Sequence, residues 1–203
     1  MNEVVTLPCY TPEDLLRIPD GDRYELVNGR LVEHTMSTWA SYVAGKVYGR
    51  LDAHCQANQL GWVLPEGVTY RCFPDAPDKV RKADVSFIRR ERLSMEQATA
   101  EGHLTIVPDL AVEVLSPNDL VYEVDTKVQE YLRAGVRLVW VIHPQGRWVD
   151  VHRVQGPGTI LRENDDLDGE DVLPGFRCRV GDLFQPPPGV APSNRAGSVP
   201  SNP

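Results

Sequence analysis

Residues 110–142 constrain the fold more than any other part of this chain. Residues 110–115 (LAVEVL) form an apolar run that indicates a strand covered on both faces. A helix is predicted from about residue 122 to 134, because Gly135 follows in the position that commonly ends a helix. Another apolar strand, residues 136–142, comes next. A strand–helix–strand order of this length is typical of a crossover that joins two parallel strands.

The remaining patterns predict antiparallel elements and one long helix around this unit. Asn28-Gly29, between two alternating segments, predicts a β-hairpin over residues 24–33. Apolar side chains spaced four apart predict a helix over residues 37–56: Trp39, Val43, Val47, Leu51 and Cys55. Further strands are predicted at 62–64, 68–72, 80–88, 148–153 and 159–162, the last two as a hairpin. We therefore expect an α/β fold with a mixed β-sheet flanked by helices and β-hairpins at its edges.

Length and composition predict one domain with a tail. Of the 203 residues, 1–185 carry the regular patterns, whereas 186–203 are rich in Pro, Gly and Ser and are predicted to be disordered. The sequence contains no apolar run long enough to span a membrane and no secretory signal. The four cysteines are scattered and form no C-x-x-C pair. A cytoplasmic location is the expectation.

The charge balance argues against a protein that coats nucleic acid. The formal net charge is −8, from 21 basic and 29 acidic residues. It does not exclude an enzyme that acts on nucleic acid, because such a site concentrates carboxylates and needs only local basic contacts. Seven basic residues crowd one stretch and are either such contacts or a solvated surface: Arg71, Lys79, Arg81, Lys82, Arg89, Arg90 and Arg92.

Two carboxylates interrupt apolar strands, and they are the first candidates for chemistry. Asp84 lies within the run 80–88, and Glu113 lies within 110–115. A buried carboxylate is costly unless it is paired or binds a metal. On adjacent strands the two would converge on one cation, and oxygen ligands suit Mg²⁺ or Mn²⁺. The alternative, in which each acid meets an arginine or a backbone amide, is about equally well supported by the residues alone.

Other polar residues give weaker signals. Lys127, on the helix after Glu113, has the pattern of an ordinary exposed lysine, and Glu25 occupies a normally solvated hairpin position. Asp109 lies four residues before Glu113 on the same strand, roughly 13 Å away, too far to share a metal with it. The five histidines lack zinc-ligand spacing, and neither a nucleophile elbow nor a glycine-rich phosphate loop is present.

Several segments in order resemble a known family. They are residues 24–32 (YELVNGRLV), 83–88 (ADVSFI), 108–119 (PDLAVEVLSPND), 127–142 (KVQEYLRAGVRLVWVI) and the later 167–169 and 172–176. Together they are similar to the Uma-type putative restriction endonucleases of the PD-(D/E)XK nuclease superfamily. The resemblance covers about residues 10–185 and implies the restriction-endonuclease-like fold.

The resemblance also implies roles for residues. Asp84 and Glu113 would be the metal ligands, with the Val114 carbonyl as a further ligand. The superfamily commonly has a lysine two residues after the second acid, where this chain has Leu115. In Uma-type proteins a lysine in the following helix substitutes for it, and Lys127 matches that position. Glu25 matches an acidic hairpin position that approaches the site from the side.

Two departures from the family pattern affect what can be expected. The proline of the PD motif is Ala83 here, and residues 36–41 are shorter than the family's Pro- and His-containing stretch. The leading hypothesis is a Mg²⁺- or Mn²⁺-dependent endonuclease that hydrolyses phosphodiester bonds of nucleic acid, with DNA as the expected substrate. Cutting both strands favours a homodimer. The alternatives are a catalytically silent module of the same fold that binds nucleic acid or protein, and an interaction domain without a nucleic-acid role.

Overall fold

The computed structural model describes residues 9–33 and 35–190. The helices are α1 (Pro12–Leu15), α2 (Thr38–Asn58), α3 (Met95–Thr99), α4 (Val121–Ala134) and α5 (Val180–Leu183), with a 3₁₀ turn at Gly21–Arg23. The strands are β1 (Tyr24–Val27), β2 (Arg30–Glu33), β3 (Gly61–Pro65), β4 (Thr69–Tyr70), β5 (Arg81–Lys82), β6 (Val85–Arg89), β7 (Leu110–Val114), β8 (Leu138–His143), β9 (Trp148–Arg153), β10 (Thr159–Arg162), β11 (Asp166–Asp168) and β12 (Arg177–Arg179).

A six-stranded mixed sheet in the order β10-β9-β8-β7-β6-β3 forms the centre of the fold. The neighbours β7 and β8 are parallel, and every other pair in this sheet is antiparallel. The predicted crossover is therefore confirmed, and α4 is the helix that connects the parallel strands. Gly135 ends α4 with a φ of 100°, the left-handed conformation that glycine adopts without strain.

Helices cover both faces of this sheet, which explains why β7 and β8 are apolar except at Glu113 and at the terminal His143. The alternate residues Leu110, Val112 and Val114 pack in one cluster with the buried stripe of α2. Ala111 of the same strand belongs to the opposite cluster, together with Val128 and Tyr131 of α4. Glu113 has the same parity as Ala111, so its side chain faces the α4 layer.

The β1–β2 hairpin lies outside the six-stranded sheet. Its turn has positive φ at both central residues, 51° for Asn28 and 74° for Gly29, as a type I′ turn requires. Leu26 joins the hairpin to the body through a reciprocal pair of backbone hydrogen bonds with Val80, both 2.9 Å. Leu15, Leu26 and Val80 form a small core of their own beneath it.

The predicted strand 80–88 is in fact two strands. Arg81 and Lys82 (β5) pair with β4, whereas Val85–Arg89 (β6) pairs with β3 and β7. The chain changes partners at Ala83 and Asp84, where the Asp84 N–H donates to the Val112 carbonyl at 3.0 Å. This break sends two successive segments to different sheets and leaves an acid at the junction.

The remaining elements largely follow the sequence. Thr11 and Asp14 form the capping box of α1, Ser37 caps α2, and β9 and β10 form the predicted hairpin. The short helix α3 was not predicted. Among the described residues, no helix is long and apolar enough to cross a membrane. Of the predicted tail, 186–190 contain no helix or strand, and 191–203 lie outside the described residues, as does His34.

Candidate active site

Asp84 and Glu113 meet where β6 begins and β7 ends. Val85 pairs with Val112, and Asp84 directly precedes Val85 while Glu113 directly follows Val112, so the two acids lie close together at the junction of the strands. Both line the same cavity, and the charge of Glu113 acts on Asp84. Their relative exposures are only 2% and 5%. The structure thus brings together the two acids that interrupted the apolar strands.

Asp84 is held in place by the backbone of the facing strand. Its Oδ2 accepts a hydrogen bond from the Val114 N–H, at the end of β7. Burial, and next the negative charge of Glu113, raise the pKa of Asp84 well above its usual range, against the opposing influence of Lys127 and the Val114 amide. The two carboxyl groups of Asp84 and Glu113 therefore favour binding of a positive charge between them, either a proton or a metal cation.

Lys127 supplies a positive charge beside these acids. Its Nζ donates to Glu113 Oε2 at 2.7 Å and lies 2.9 Å from Glu25 Oε1. Burial alone would lower the pKa of Lys127, but Glu113 and Glu25 outweigh burial and raise it, so the ammonium form is retained. The expectation of an ordinary exposed lysine is wrong, because the side chain is only 9% exposed.

Glu25 reaches the site from β1 and is also buried, contrary to its expected solvation. Its Oε2 accepts from Arg81 Nη1 at 2.8 Å, and its Oε1 accepts from the Lys82 N–H at 2.8 Å. Burial opposes ionisation of Glu25, but the charges of Lys127 and Arg81 prevail and lower its pKa to about 2. Glu25 is thus a permanently charged partner for Lys127.

These side chains form the floor of a cavity of about 350 Å³. The hairpin forms one wall through Val27, Val32 and Glu33, and the start of α4 with the preceding loop forms the other. The loop and helix contribute Asn118, Asp119, Leu120, Tyr122 and Glu123 to the mouth. Tyr122 is 65% exposed there. This cavity therefore gives a ligand access to Asp84 and Glu113 between the hairpin and the helix.

Sequence reasoning missed two residues beside this site, Arg81 and Glu130. The Arg81 guanidinium bridges Glu25 and Glu130, and its Nε and Nη2 lie 2.8 and 2.7 Å from Glu130 Oε2. Lys79 Nζ donates to the other oxygen of Glu130. Helical spacing could have found Glu130, which lies three residues after Lys127 and one turn along the same helix.

Three of the seven residues of the basic stretch that suggested local nucleic-acid contacts are turned inward. Lys79, Arg81 and Lys82 are buried and paired with carboxylates or a backbone carbonyl. Arg89 and Arg92 surround Asp109, which accepts from the Arg89 N–H at 2.9 Å and lies 2.7 Å from Arg92 Nη1. Asp109 therefore has a structural role at the start of β7. Both surface interpretations fail for Lys79, Arg81 and Lys82, whereas Arg89 and Arg92 stay partly exposed.

The side chains present fit a hard divalent cation that takes only one or two of its ligands from the protein. Across residues 9–33 and 35–190, no group of three or more His, Cys, Asp and Glu side chains is arranged as a metal site. Two facing carboxylates remain, Asp84 and Glu113, whose mutual repulsion a cation would relieve. Mg²⁺ characteristically uses one or two protein carboxylates and keeps water and phosphate oxygens as its other ligands. Val114 borders the same cavity, and its carbonyl as a further ligand stays a prediction.

The mixed sheet, the helices on both faces and the acids at the junction of β6 and β7 define an α/β protein of the restriction-endonuclease-like class. A family model described as Uma2, putative restriction endonuclease, matches residues 12–181. The chain therefore belongs to the Uma2 family.

A solved structure shares this fold. It is a crystal structure of a putative nuclease belonging to DUF820 from Anabaena variabilis ATCC 29413, with a TM-score of 0.72 and 19% sequence identity. The alignment covers 86% of this chain and 97% of that one. At this identity the likeness shows the fold alone. The search of curated proteins returned no match.

Proposed function

We propose that this protein is a divalent-metal-dependent nuclease that hydrolyses phosphodiester bonds, with DNA as the expected substrate. One observation carries the proposal: Asp84 and Glu113 line the floor of one cavity, with the Lys127 ammonium 2.7 Å from Glu113. Membership of a family described as putative restriction endonucleases supports the same conclusion. The cavity of about 350 Å³ is of the size that small-ligand sites have.

Asp84 and Glu113 would hold the metal ion, with Mg²⁺ and Mn²⁺ as the candidates. A bound divalent cation of this kind acidifies a water and stabilises the charge that develops on a phosphodiester. The chain itself excludes bulk solvent from both carboxylates, which strengthens electrostatic interactions at the site. The Val114 N–H fixes the orientation of Asp84 through its Oδ2.

Lys127 would act on the reacting atoms as a positive charge. Because its pKa is raised, the ammonium does not give up its proton readily and is unsuited to be the general base. It is suited to orient the attacking water and to stabilise negative charge on the phosphoryl oxygens. Its contact with Glu25 keeps it at the cavity floor.

A cleavage assay tests the proposal. Supercoiled plasmid, linear duplex, single-stranded DNA and RNA are incubated with Mg²⁺ or Mn²⁺, with an EDTA control. We expect metal-dependent cutting of DNA that Asp84→Ala and Glu113→Ala each abolish and that Lys127→Ala lowers to a small residual rate. Linear product formed directly from supercoiled plasmid would support a homodimer, because scission of both strands in one encounter requires two active sites.

A matched variant separates the site from general charge effects. Asp75→Asn removes an exposed carboxylate remote from the cavity and should cut like the wild type. Cutting that persists in both Asp84→Ala and Glu113→Ala would contradict the proposed site. A folded wild type that cuts none of the four substrates with either metal would contradict the proposed activity.

A further inference from the structure

The Lys127 ammonium is shared by two carboxylates that the proposed function treats differently. Glu113, on β7, accepts at 2.7 Å, and Glu25, on β1, lies 2.9 Å away through its Oε1. Glu113 is a proposed metal ligand, so its contact with Lys127 competes with metal binding. Glu25 is the partner that can keep Lys127 in place in both states.

Glu25 is poorly placed to be a metal ligand, because donors of the chain already occupy both of its oxygens. Oε1 accepts from the Lys82 N–H at 2.8 Å in addition to its contact with Lys127, and Oε2 accepts from Arg81 Nη1 at 2.8 Å. The side chain is only 4% exposed. Glu25 therefore serves as an anchor, and its orientation depends on Arg81.

Arg81 is in turn fixed by Glu130. Its Nε and Nη2 lie 2.8 and 2.7 Å from Glu130 Oε2, while Nη1 points to Glu25. A guanidinium bound by two carboxylates has little orientational freedom, since its N–H donors form a rigid planar fork. Lys79 binds the second oxygen of Glu130 and prevents that carboxylate from rotating away.

The ion pairs close into a ring that begins and ends on one helix. Lys127 and Glu130 are three residues apart on α4, and the contacts run from Lys127 to Glu25, Arg81 and back to Glu130. We propose that Glu130 is a positioning residue that acts through Arg81 and Glu25 to hold the Lys127 ammonium at the reacting phosphate. The proposal rests on the proposed function, and it adds a role for a side chain that does not line the cavity.

The substitution Glu130→Gln tests the positioning role of Glu130 with little change in the size and shape of the side chain. The glutamine keeps one acceptor oxygen, but an NH₂ group replaces the other oxygen and faces the N–H donors of Arg81 or Lys79. We expect kcat for cleavage to fall about 10- to 30-fold, with KM and the Mn²⁺ dissociation constant changed less than about twofold, as for supporting residues around catalytic groups. Asp125→Asn, which removes an exposed acid of the same helix, should leave all three unchanged.

A double-mutant cycle distinguishes positioning from a merely structural role. If Glu130 acts through Lys127, Glu130→Gln should reduce kcat less than about twofold in a Lys127→Met background. Measurements are made below the melting temperatures of all four proteins. Independent, multiplying effects of the two substitutions would overturn the proposal.

A measurement on the metal-free protein makes the test independent of activity. The ¹⁵Nζ resonance of Lys127 is assigned from its disappearance in Lys127→Met. We expect Glu130→Gln to shift that resonance or to speed its hydrogen exchange at least about threefold, and Asp125→Asn to leave it unchanged. A Lys127 signal that is identical in wild type and Glu130→Gln would overturn the ring, even if the protein cuts no nucleic acid. If Glu130→Gln does not fold, Arg81→Lys, which breaks the planar bridge but keeps the charge, takes its place under the same criteria.

Discussion

Asp84→Asn is expected to abolish metal-dependent cleavage and at the same time to stabilise the metal-free fold. Loss of an anionic ligand should reduce the rate by about a thousandfold or more, since several kcal/mol of charge stabilisation disappear. The asparagine can still accept the Val114 N–H, and it ends the repulsion with Glu113. We therefore expect the free energy of unfolding to rise by about 1–2 kcal/mol at pH 8, as for other sites that trade stability for function.

The pH dependence of this gain has a definite sign. Burial and the Glu113 charge raise the pKa of Asp84 in the folded protein above its unfolded value. Such a group contributes stability that is fully present below the unfolded pKa and is lost as the pH rises through the folded pKa. The advantage of Asp84→Asn should therefore be larger at pH 8 than at pH 4. Urea unfolding at both pH values measures it, and a variant less stable than wild type at pH 8 would contradict the account.

Lys127→Met is expected to have the largest effect on stability. It leaves Glu25 and Glu113 buried around a neutral side chain, and breaking a buried pair by removing one partner costs about 3–5 kcal/mol. Mn²⁺ should recover part of this loss, because a cation at Asp84 and Glu113 replaces some of the missing charge. Thermal unfolding with and without Mn²⁺ measures both effects. Cleavage should fall in either condition, since the metal does not replace the ammonium.

Glu25→Gln provides the matched control for this interpretation. Combined with Lys127→Met, it removes one of the two negative charges that contact Lys127, while Arg81 keeps Glu130 as a partner, so the double variant should be more stable than Lys127→Met alone. Equal or lower stability of the double variant would show that the cost comes from packing of the lysine stem instead. A stabilising effect of Mn²⁺ on wild type and on Lys127→Met that is absent in Asp84→Asn would place the ion at the acids.

The main sheet could be predicted because its strands have unambiguous patterns. The apolar β7 and β8, with Gly135 ending the helix between them, allow one simple connection. The break between β5 and β6 could not be predicted, because residues 80–88 look like one continuous strand. The two strands are divided by tertiary contacts. The Glu25 carboxylate accepts a hydrogen bond from the Lys82 N–H, and the Asp84 carboxylate accepts one from the Val114 N–H.

For the site, the residues alone reveal the strand acids, whereas their partners Glu25 and Lys127 are implied only by the family resemblance. An acid in an apolar strand is conspicuous, but Glu25 alternates in β1, where it and Leu26 are both buried, which the sequence of the hairpin does not reveal. Lys127 was visible in principle. It lies three residues after Val124 and four before Tyr131, on the apolar side of α4, so helical periodicity predicts burial. The ring through Arg81 joins residues 56 and 49 positions apart, which no local pattern encodes.

The inward-turned basic residues also determine how the protein meets a polyanion. The net charge is −8, and Lys79, Arg81 and Lys82 of the basic stretch are committed to internal partners and withdrawn from contact with phosphates. Proteins that bind DNA through many lysines and arginines release counterions and lose affinity steeply as salt increases. Here that dependence should be shallow: cleavage measured at 50 and at 200 mM NaCl should differ far less than for a basic DNA-binding protein, and a steep loss would point to a cationic surface elsewhere. The divalent ion would then be needed for the encounter itself as well as for the chemistry.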